Sequence, residues 1–254
     1  MPGKILLILL YAVGAVAAGL LLYLLLLAVS VLFIDPKKDY DERSPYFVAL
    51  SNSLAWMILL FSNVKVNVEG IEKIPGDGKF LLVSNHRSLY DPLTAIYHMR
   101  QFNLIFVSKP ENFSIPIAGR LARRYCYRAI DRENARNALA TVKDCVRLIE
   151  NGVGPVFIYP EGTRSKTGKL LPFHNSVFKI AQDAKVPIVV MSTRGTEMIH
   201  KNAPWRTSHV TLRVLDVLPT DFVTSSRTAM IGEKVRSILS SDLQGTKPTE
   251  ESVS

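Results

Sequence analysis

His86 and Asp91 lie five residues apart in Asn85-His86-Arg87-Ser88-Leu89-Tyr90-Asp91, and the segment Pro160-Glu161-Gly162-Thr163-Arg164-Ser165 follows about seventy residues later. Histidine is the side chain whose ordinary pKa lies nearest neutrality, and a carboxylate bonded to one ring nitrogen fixes its tautomer and stabilises the imidazolium. A five-residue spacing across a turn lets that carboxylate fold back onto the ring. In the second segment Gly162 permits close backbone approach, Thr163 and backbone amides can donate, and Arg164 offers a planar fork for a phosphate. Together these are the parts for proton abstraction beside a bound anion. Each half alone also fits a plainer reading, a structural histidine and a polar surface loop.

Alternating short β-type and helical runs place these residues. Strands are expected at Val64–Val68, Phe80–Val83, Leu104–Val107, Tyr127–Ile130, Val156–Tyr159, Pro187–Met191 and Val210–Leu215. Helices are expected at Pro92–Met99, Ile117–Tyr125, Asn134–Glu150, Asn175–Ala184 and Ser225–Leu239. The helix at Asn134–Glu150 is the clearest, with Leu139, Val142, Val146 and Ile149 at helical spacing and Gly152 just past its end. The alternation predicts an α/β fold, a mixed and largely parallel sheet flanked by helices. His86 then follows one strand, Asp91 opens the next helix, and the Gly162 segment follows another strand. Open α/β sheets keep their sites at such carboxyl strand ends.

Upstream of the sheet, Ile5 to Ile34 carries no charged residue. As a helix it would be roughly 45 Å long, enough to cross a hydrocarbon core of about 30 Å with tilt. It is too long and leucine-rich for a cleaved signal peptide. Lys37, Lys38 and Arg43 follow it while only Lys4 and the amino terminus precede it, which predicts a cell-membrane protein with its catalytic domain facing the cytoplasm. Val48 to Phe61 is apolar but interrupted by Ser51, Asn52 and Ser53, and periodicity leaves two readings open, an interfacial helix or a core helix. The expected division is 1–44 membrane helix and charged linker, 45–239 α/β domain including helix 48–61, and 240–254 disordered tail.

Lys and Arg total 31 against 22 Asp and Glu in 254 residues, a net charge of +9, so anionic partners are expected. Arg120, Arg123, Arg124, Arg128, Arg132 and Arg136 crowd together. Arg132 follows a strand and can reach the same strand-end site; the others are assigned to solvent or anionic headgroups. Few aromatics interleave with this cluster, which argues against nucleic acid. Cys126 and Cys145 show no disulfide or metal spacing and are read as reduced thiols, and His98, His174, His200 and His209 form no metal-ligand set. There is no G-x-S-x-G nucleophile elbow, although Ser84 and Ser88 flank His86 and leave a serine hydrolase open, and Gly162 to Lys169 misses the P-loop spacing.

From Val64 to Val217 the chain resembles the PlsC-like glycerolipid acyltransferases. Asn85–Asp91 matches the family's NHxxxxD block, Tyr127–Arg132 the second block, Tyr159–Ser165 the third, usually read FPEGTRS, and Val186–Val190 the fourth. Ala129, Val190 and Phe173-His174-Asn175-Ser176, where the family usually has Phe-Lys-x-Gly, depart from the usual residues. The resemblance implies His86 as general base with Asp91 behind it, and Arg132, Glu161, Gly162, Thr163 and Arg164 as binding residues. Glu161 would order its loop or contact the glycerol. It implies transfer of an acyl group from an acyl-CoA or acyl carrier protein thioester to the sn-2 hydroxyl of 1-acyl-sn-glycerol 3-phosphate, with no cofactor or metal. Lyso-ornithine lipid and other lysophospholipids are the alternative acceptors. A membrane protein that only binds anionic lipid is the non-enzymatic alternative.

Overall fold

The structure is a computed structural model that describes residues 2–131 and 134–245. Its strands are β1 (Val64–Glu69), β2 (Leu81–Ser84), β3 (Ile105–Ser108), β4 (Arg128–Ala129), β5 (Val156–Ile158), β6 (Ile188–Arg194) and β7 (Ser208–Leu218). Its α-helices are α1 (Pro2–Ser30), α2 (Pro45–Phe61), α3 (Tyr90–His98), α4 (Ala118–Arg124), α5 (Ala135–Glu150), α6 (Lys179–Ala184), α7 (Ile199–Asn202), α8 (Thr220–Ser225) and α9 (Thr228–Leu243). The strands form one seven-stranded sheet in the order β1-β7-β6-β2-β5-β3-β4. Every neighbouring pair is parallel except β6 with β7. This is the mixed, largely parallel sheet that the alternation predicts.

Parallel strands covered on both faces read as continuous apolar runs, because successive side chains point to opposite layers and both layers are dry. Accordingly Leu81 and Val83 of β2 pack with Leu148 and Ile149 of α5 and Val235 of α9, while Phe80 and Leu82 pack with Ala95 of α3, Phe106 and Phe157. Cys126 and Cys145 are free and buried. Burial pushes the Cys145 thiol up to about 12, so it behaves as a small core residue.

Helix α1 and the turn after it, Gly3–Phe33, are long and apolar enough to cross a membrane, and the α1 surface is exposed along most of its length. At its carboxyl end Leu27, Val31 and Ile34 pack against Leu50 of α2 and Leu121 of α4. Tyr23 hydrogen-bonds Ser53 at 2.8 Å and Ser30 bonds Tyr46 at 2.6 Å. Helix α2 has an inward face that joins the core and an exposed apolar face. Leu50, Ala55 and Leu59 face inward, whereas Trp56, Leu60 and Phe61 are exposed.

Two expectations need correction. Four arginines of the cluster turn inward rather than to solvent or headgroups, while Arg136 is exposed as expected: Arg120 donates to the Val31 carbonyl at 2.9 Å, Arg123 pairs with Asp39 at 2.6 Å, and Arg124 donates to the Glu42 carbonyl. Arg128, only 2 % exposed in its side chain, bonds Asp41, Asp144 and the carbonyls of Tyr40 and Cys126. The acidic and carbonyl groups of the linker after α1 draw these guanidinium groups inward. The last helix continues to Leu243 rather than stopping at Leu239, because Asp242 is held by Ser192, Arg194 and Arg213 of β6 and β7. Residues 246–254 of the expected tail lie outside the described residues.

Candidate active site

Strands β2, β3, β5 and β6 are mutually parallel neighbours, so their carboxyl ends open on one edge of the sheet. The chain leaving β2 carries Asn85 and His86. Asn85 is buried and its amide clasps the backbone of Thr193, donating to the carbonyl at 2.9 Å and accepting from the N–H at 2.8 Å. That two-point bond pins the exit of β2 to β6 and fixes where the next residue emerges.

His86 Nδ1 lies 2.8 Å from Oδ2 of Asp91, which stands in the first turn of α3 and is fully buried. The same oxygen accepts the backbone N–H groups of Arg87 at 2.6 Å and Ser88 at 2.9 Å, and Oδ1 accepts the Thr196 hydroxyl. With Oδ2 already receiving two amide protons, the proton of the His86–Asp91 bond sits on Nδ1. This leaves Nε2 with its lone pair, the tautomer a general base needs. The imidazole stacks on the Tyr159 ring at 4.1 Å between centroids and 15° between planes, which fixes its plane as Asp91 fixes its rotation. The His86 side chain is 18 % exposed, enough for one edge to meet a ligand.

The chain leaving β5 carries the second segment. Gly162 has φ 72°, a left-handed conformation that suits glycine, and its N–H closes a turn onto the Tyr159 carbonyl at 3.0 Å. Glu161 points inward and is 3 % exposed. One of its oxygens accepts the His86 N–H at 2.7 Å and the other the Leu171 N–H at 2.8 Å. Burial pushes this carboxyl above its ordinary value, against the pull of those two amides and of His86 and Arg87. The Ser165 N–H donates to the His86 carbonyl at 2.8 Å. His86 is thus tied through its own backbone, on both sides, to the loop that holds Gly162, Thr163 and Arg164.

Beside this pair of loops lies a cavity of about 310 Å³. His86, Gly162, Thr163 and Arg164 border it, and apolar side chains including Leu89, Ile96, Phe113, Ile115 and Tyr127 make up much of the rest of its wall. Tyr159 also lines it; burial pushes its phenol well above the ordinary value, and its hydroxyl has no hydrogen-bond partner among the described residues. A base, an exposed guanidinium and a largely apolar cavity fit a ligand with an anionic head and a hydrocarbon tail.

The structure brings together His86, Asp91, Glu161, Gly162, Thr163 and Arg164; Arg132 lies outside the described residues. Sequence reasoning passed over Thr196, Asn85 as a clasp, and Lys109, which follows β3 and lines the cavity. Gly195, at φ 86°, makes the turn that returns Thr196 to Asp91. A Gly-Thr pair just past a strand was the one available signal.

The comparisons with known proteins agree with this picture. A model of the acyltransferase family matches residues 65–194. The chain is 32 % identical over 189 residues to the chloroplastic 1-acyl-sn-glycerol-3-phosphate acyltransferase LPAT1 of Arabidopsis thaliana, covering 74 % of this chain and 51 % of the relative. It is 29 % identical over 179 residues to the human 1-acyl-sn-glycerol-3-phosphate acyltransferase alpha, covering 68 % of this chain and 62 % of that one. The chain spans about half the length of the first relatives it matches. The crystal structure of the 1-acyl-sn-glycerophosphate acyltransferase PlsC from Thermotoga maritima shares the fold, with a TM-score of 0.64, 22 % identity and 82 % of each chain covered. The family's pattern therefore runs unbroken from β1 through the end of β6, across both loops that meet at His86, and the chain belongs to the acyltransferase family.

Proposed function

We propose that this protein transfers a fatty acyl group from an acyl thioester to the sn-2 hydroxyl of 1-acyl-sn-glycerol 3-phosphate, giving phosphatidic acid. The observation that carries the reading is the His86–Asp91 pair, its Nε2 free, opening on a largely apolar cavity that Arg164 borders. The names of the relatives, all 1-acyl-sn-glycerol-3-phosphate acyltransferases, support the choice of acceptor.

His86 takes the proton of the acceptor hydroxyl as that oxygen attacks the thioester carbonyl, and Asp91 stabilises the imidazolium. The tetrahedral intermediate collapses with loss of the thiolate. A thiol has a pKa near 8.5, so this leaving group needs less acid assistance than an alkoxide. Arg164, the Gly162–Thr163 backbone and Arg132 hold the acceptor phosphate, and holding it converts an encounter in the bilayer plane into an oriented one. Acyl-CoA and an acyl carrier protein present the same thioester, and either serves as donor; no cofactor takes part. Helix α1 keeps the site at the cytoplasmic face of the cell membrane, where the acceptor's own chain stays partly in lipid.

Membranes carrying the chain, given an acyl thioester and lysophosphatidic acid, are expected to form phosphatidic acid. His86→Ala is expected to lower the rate by at least about 100-fold with folding and membrane association retained. Transfer that persists in this variant would sink the assignment of the base. Arg164→Ala is expected to raise the acceptor KM by roughly tenfold or more, with the donor KM little changed. The opposite pattern would move Arg164 to the donor side.

A further inference from the structure

Trp205 is 89 % exposed, the most exposed large apolar side chain in the described structure. It lies in the short connection between α7 and β7, in the run Ala203-Pro204-Trp205-Arg206-Thr207. That connection lies against the end of α2. Asn63, just past α2, donates from its side chain to the Pro204 carbonyl at 3.4 Å and bonds the Thr207 hydroxyl at 3.2 Å; its carbonyl accepts the Ser208 N–H at 2.9 Å. These bonds tie the connection that carries Trp205 to the carboxyl end of α2, where Trp56, Leu60 and Phe61 are exposed.

The charge around it has one sign. Lys201, Arg206 and Lys65 are all exposed, and no Asp or Glu occurs between Pro45 and Val68 or between Ile199 and Leu215. An indole combines a large apolar body with one N–H donor, and tryptophan gathers at the headgroup level of bilayers for that reason. Exposed Lys and Arg beside it add attraction to anionic lipid.

We infer that the connection carrying Trp205 is a second membrane contact of this protein, seated in the headgroup layer of an anionic phospholipid surface and continuous with the outward face of α2. Two observations select a bilayer rather than another protein. The surface continues the uncharged outward face of α2, a helix whose amino-terminal half packs through Phe47 and Leu50 against the end of the candidate membrane helix. Its rim is basic, complementary to anionic headgroups. The inference rests on the proposed placement of the domain at the membrane by α1 and takes the outward face of α2 to lie at that surface; Trp56 reports the seating of α2 separately from Trp205.

Trp56 and Trp205 are the only tryptophans, so Trp56→Phe leaves Trp205 as the sole reporter and Trp205→Phe leaves Trp56. The full chain of each variant is reconstituted in vesicles of phosphatidylcholine and phosphatidylglycerol, with and without brominated acyl chains. Trp205 is expected to lose most of its emission in brominated vesicles and to be largely shielded from iodide in unbrominated ones. If Trp56 is quenched by bromine while Trp205 is quenched by iodide alone, the second contact is overturned and the seating of α2 stands. If bromine reaches neither, both are overturned. Trp205 shielded from bromine and iodide alike would mean that a protein surface covers it, which also overturns the lipid assignment.

Discussion

At the residue scale, catalytic competence in the proposed reaction rests on the orientation of one imidazole, and three side chains supply it. Asp91 sets the tautomer, Tyr159 sets the plane, and Thr196 holds the far oxygen of Asp91. Thr196 touches Asp91 rather than the imidazole, so it acts as a positioning residue. Thr196→Val keeps the side-chain shape and removes one hydrogen bond to a buried carboxylate, a bond worth about 1.5–3 kcal/mol. It is expected to lower kcat by roughly tenfold or more with the acceptor KM little changed, and steady-state kinetics on both substrates checks this. A merely structural role would instead lower the melting temperature and leave kcat of the folded fraction unchanged. His86 and Asp91 were legible in the sequence because their contact is local, five residues across one turn. Thr196 was not, because its bond to Asp91 joins residues 105 apart and depends on β6 lying next to β2. Strand order is a product of the whole sheet, and no local spacing encodes it. Glu161 was legible as part of a motif but not in its orientation: the sequence placed it on the loop, and only the fold shows both oxygens taken by backbone amides.

At the scale of elements, β1 to β5 were read within a residue at each end, since a buried parallel strand is a short apolar run between polar loops, whereas the antiparallel pair β6 and β7 each run three residues further at the carboxyl end than expected. The short helices α7 and α8 were not read at all, because four and six residues leave no periodicity to detect. The carboxyl end of α9 was misread for a different reason. Ser240, Ser241 and Asp242 look like a polar tail, but Asp242 accepts from Ser192 at 2.7 Å and pairs with Arg194 at 2.7 Å and Arg213 at 2.9 Å. Burial alone would push the Asp242 carboxyl up; Ser192 and Arg194, with Arg213 behind them, outweigh it and hold it below its ordinary value. A carboxyl depressed in the folded state contributes stability above its unfolded pKa and loses that contribution as pH falls through the folded one. Asp242→Asn is therefore expected to cost about 2 kcal/mol at neutral pH. The gap from the parent protein should hold down to about pH 4 and close below it. Thermal melts of both forms across that range provide the measurement, and a gap that widened in acid would refute the assignment.

For the whole molecule, the sequence revealed a candidate membrane segment and an α/β domain as separate things, and the structure shows them fastened. The fastening is ionic and hydrogen-bonded as well as apolar. Arg147 grips Asp41 through two bonds of 2.9 Å, Arg43 donates to the Asn103 carbonyl, and the buried Arg128 gathers Asp41, Asp144 and three carbonyls. Basic residues near a membrane segment suggest headgroups by composition alone; only the folded chain shows that the linker's own acids and carbonyls have claimed them. Arg128→Met removes the buried centre of this network, while the partly exposed Asp41 and Asp144 keep Arg147, and it is expected to lower the melting temperature and to expose the linker around Asp39 to protease. Limited proteolysis of the two forms in the same detergent checks it, and equal cleavage rates would show that the linker is held by its apolar contacts alone.

The two loops at His86 are joined by the Glu161 carboxylate on the His86 N–H and by the Ser165 N–H on the His86 carbonyl, and these two bonds restrict the gap between the imidazole and the Gly162–Thr163 backbone. In the proposed reaction that gap acts as a ruler. With the phosphate seated at Arg164, the hydroxyl that reacts is the one whose distance from phosphorus equals the span. Acceptors differing by one carbon between phosphate and hydroxyl would then be sorted by reach, without any group on the enzyme that recognises the carbon itself.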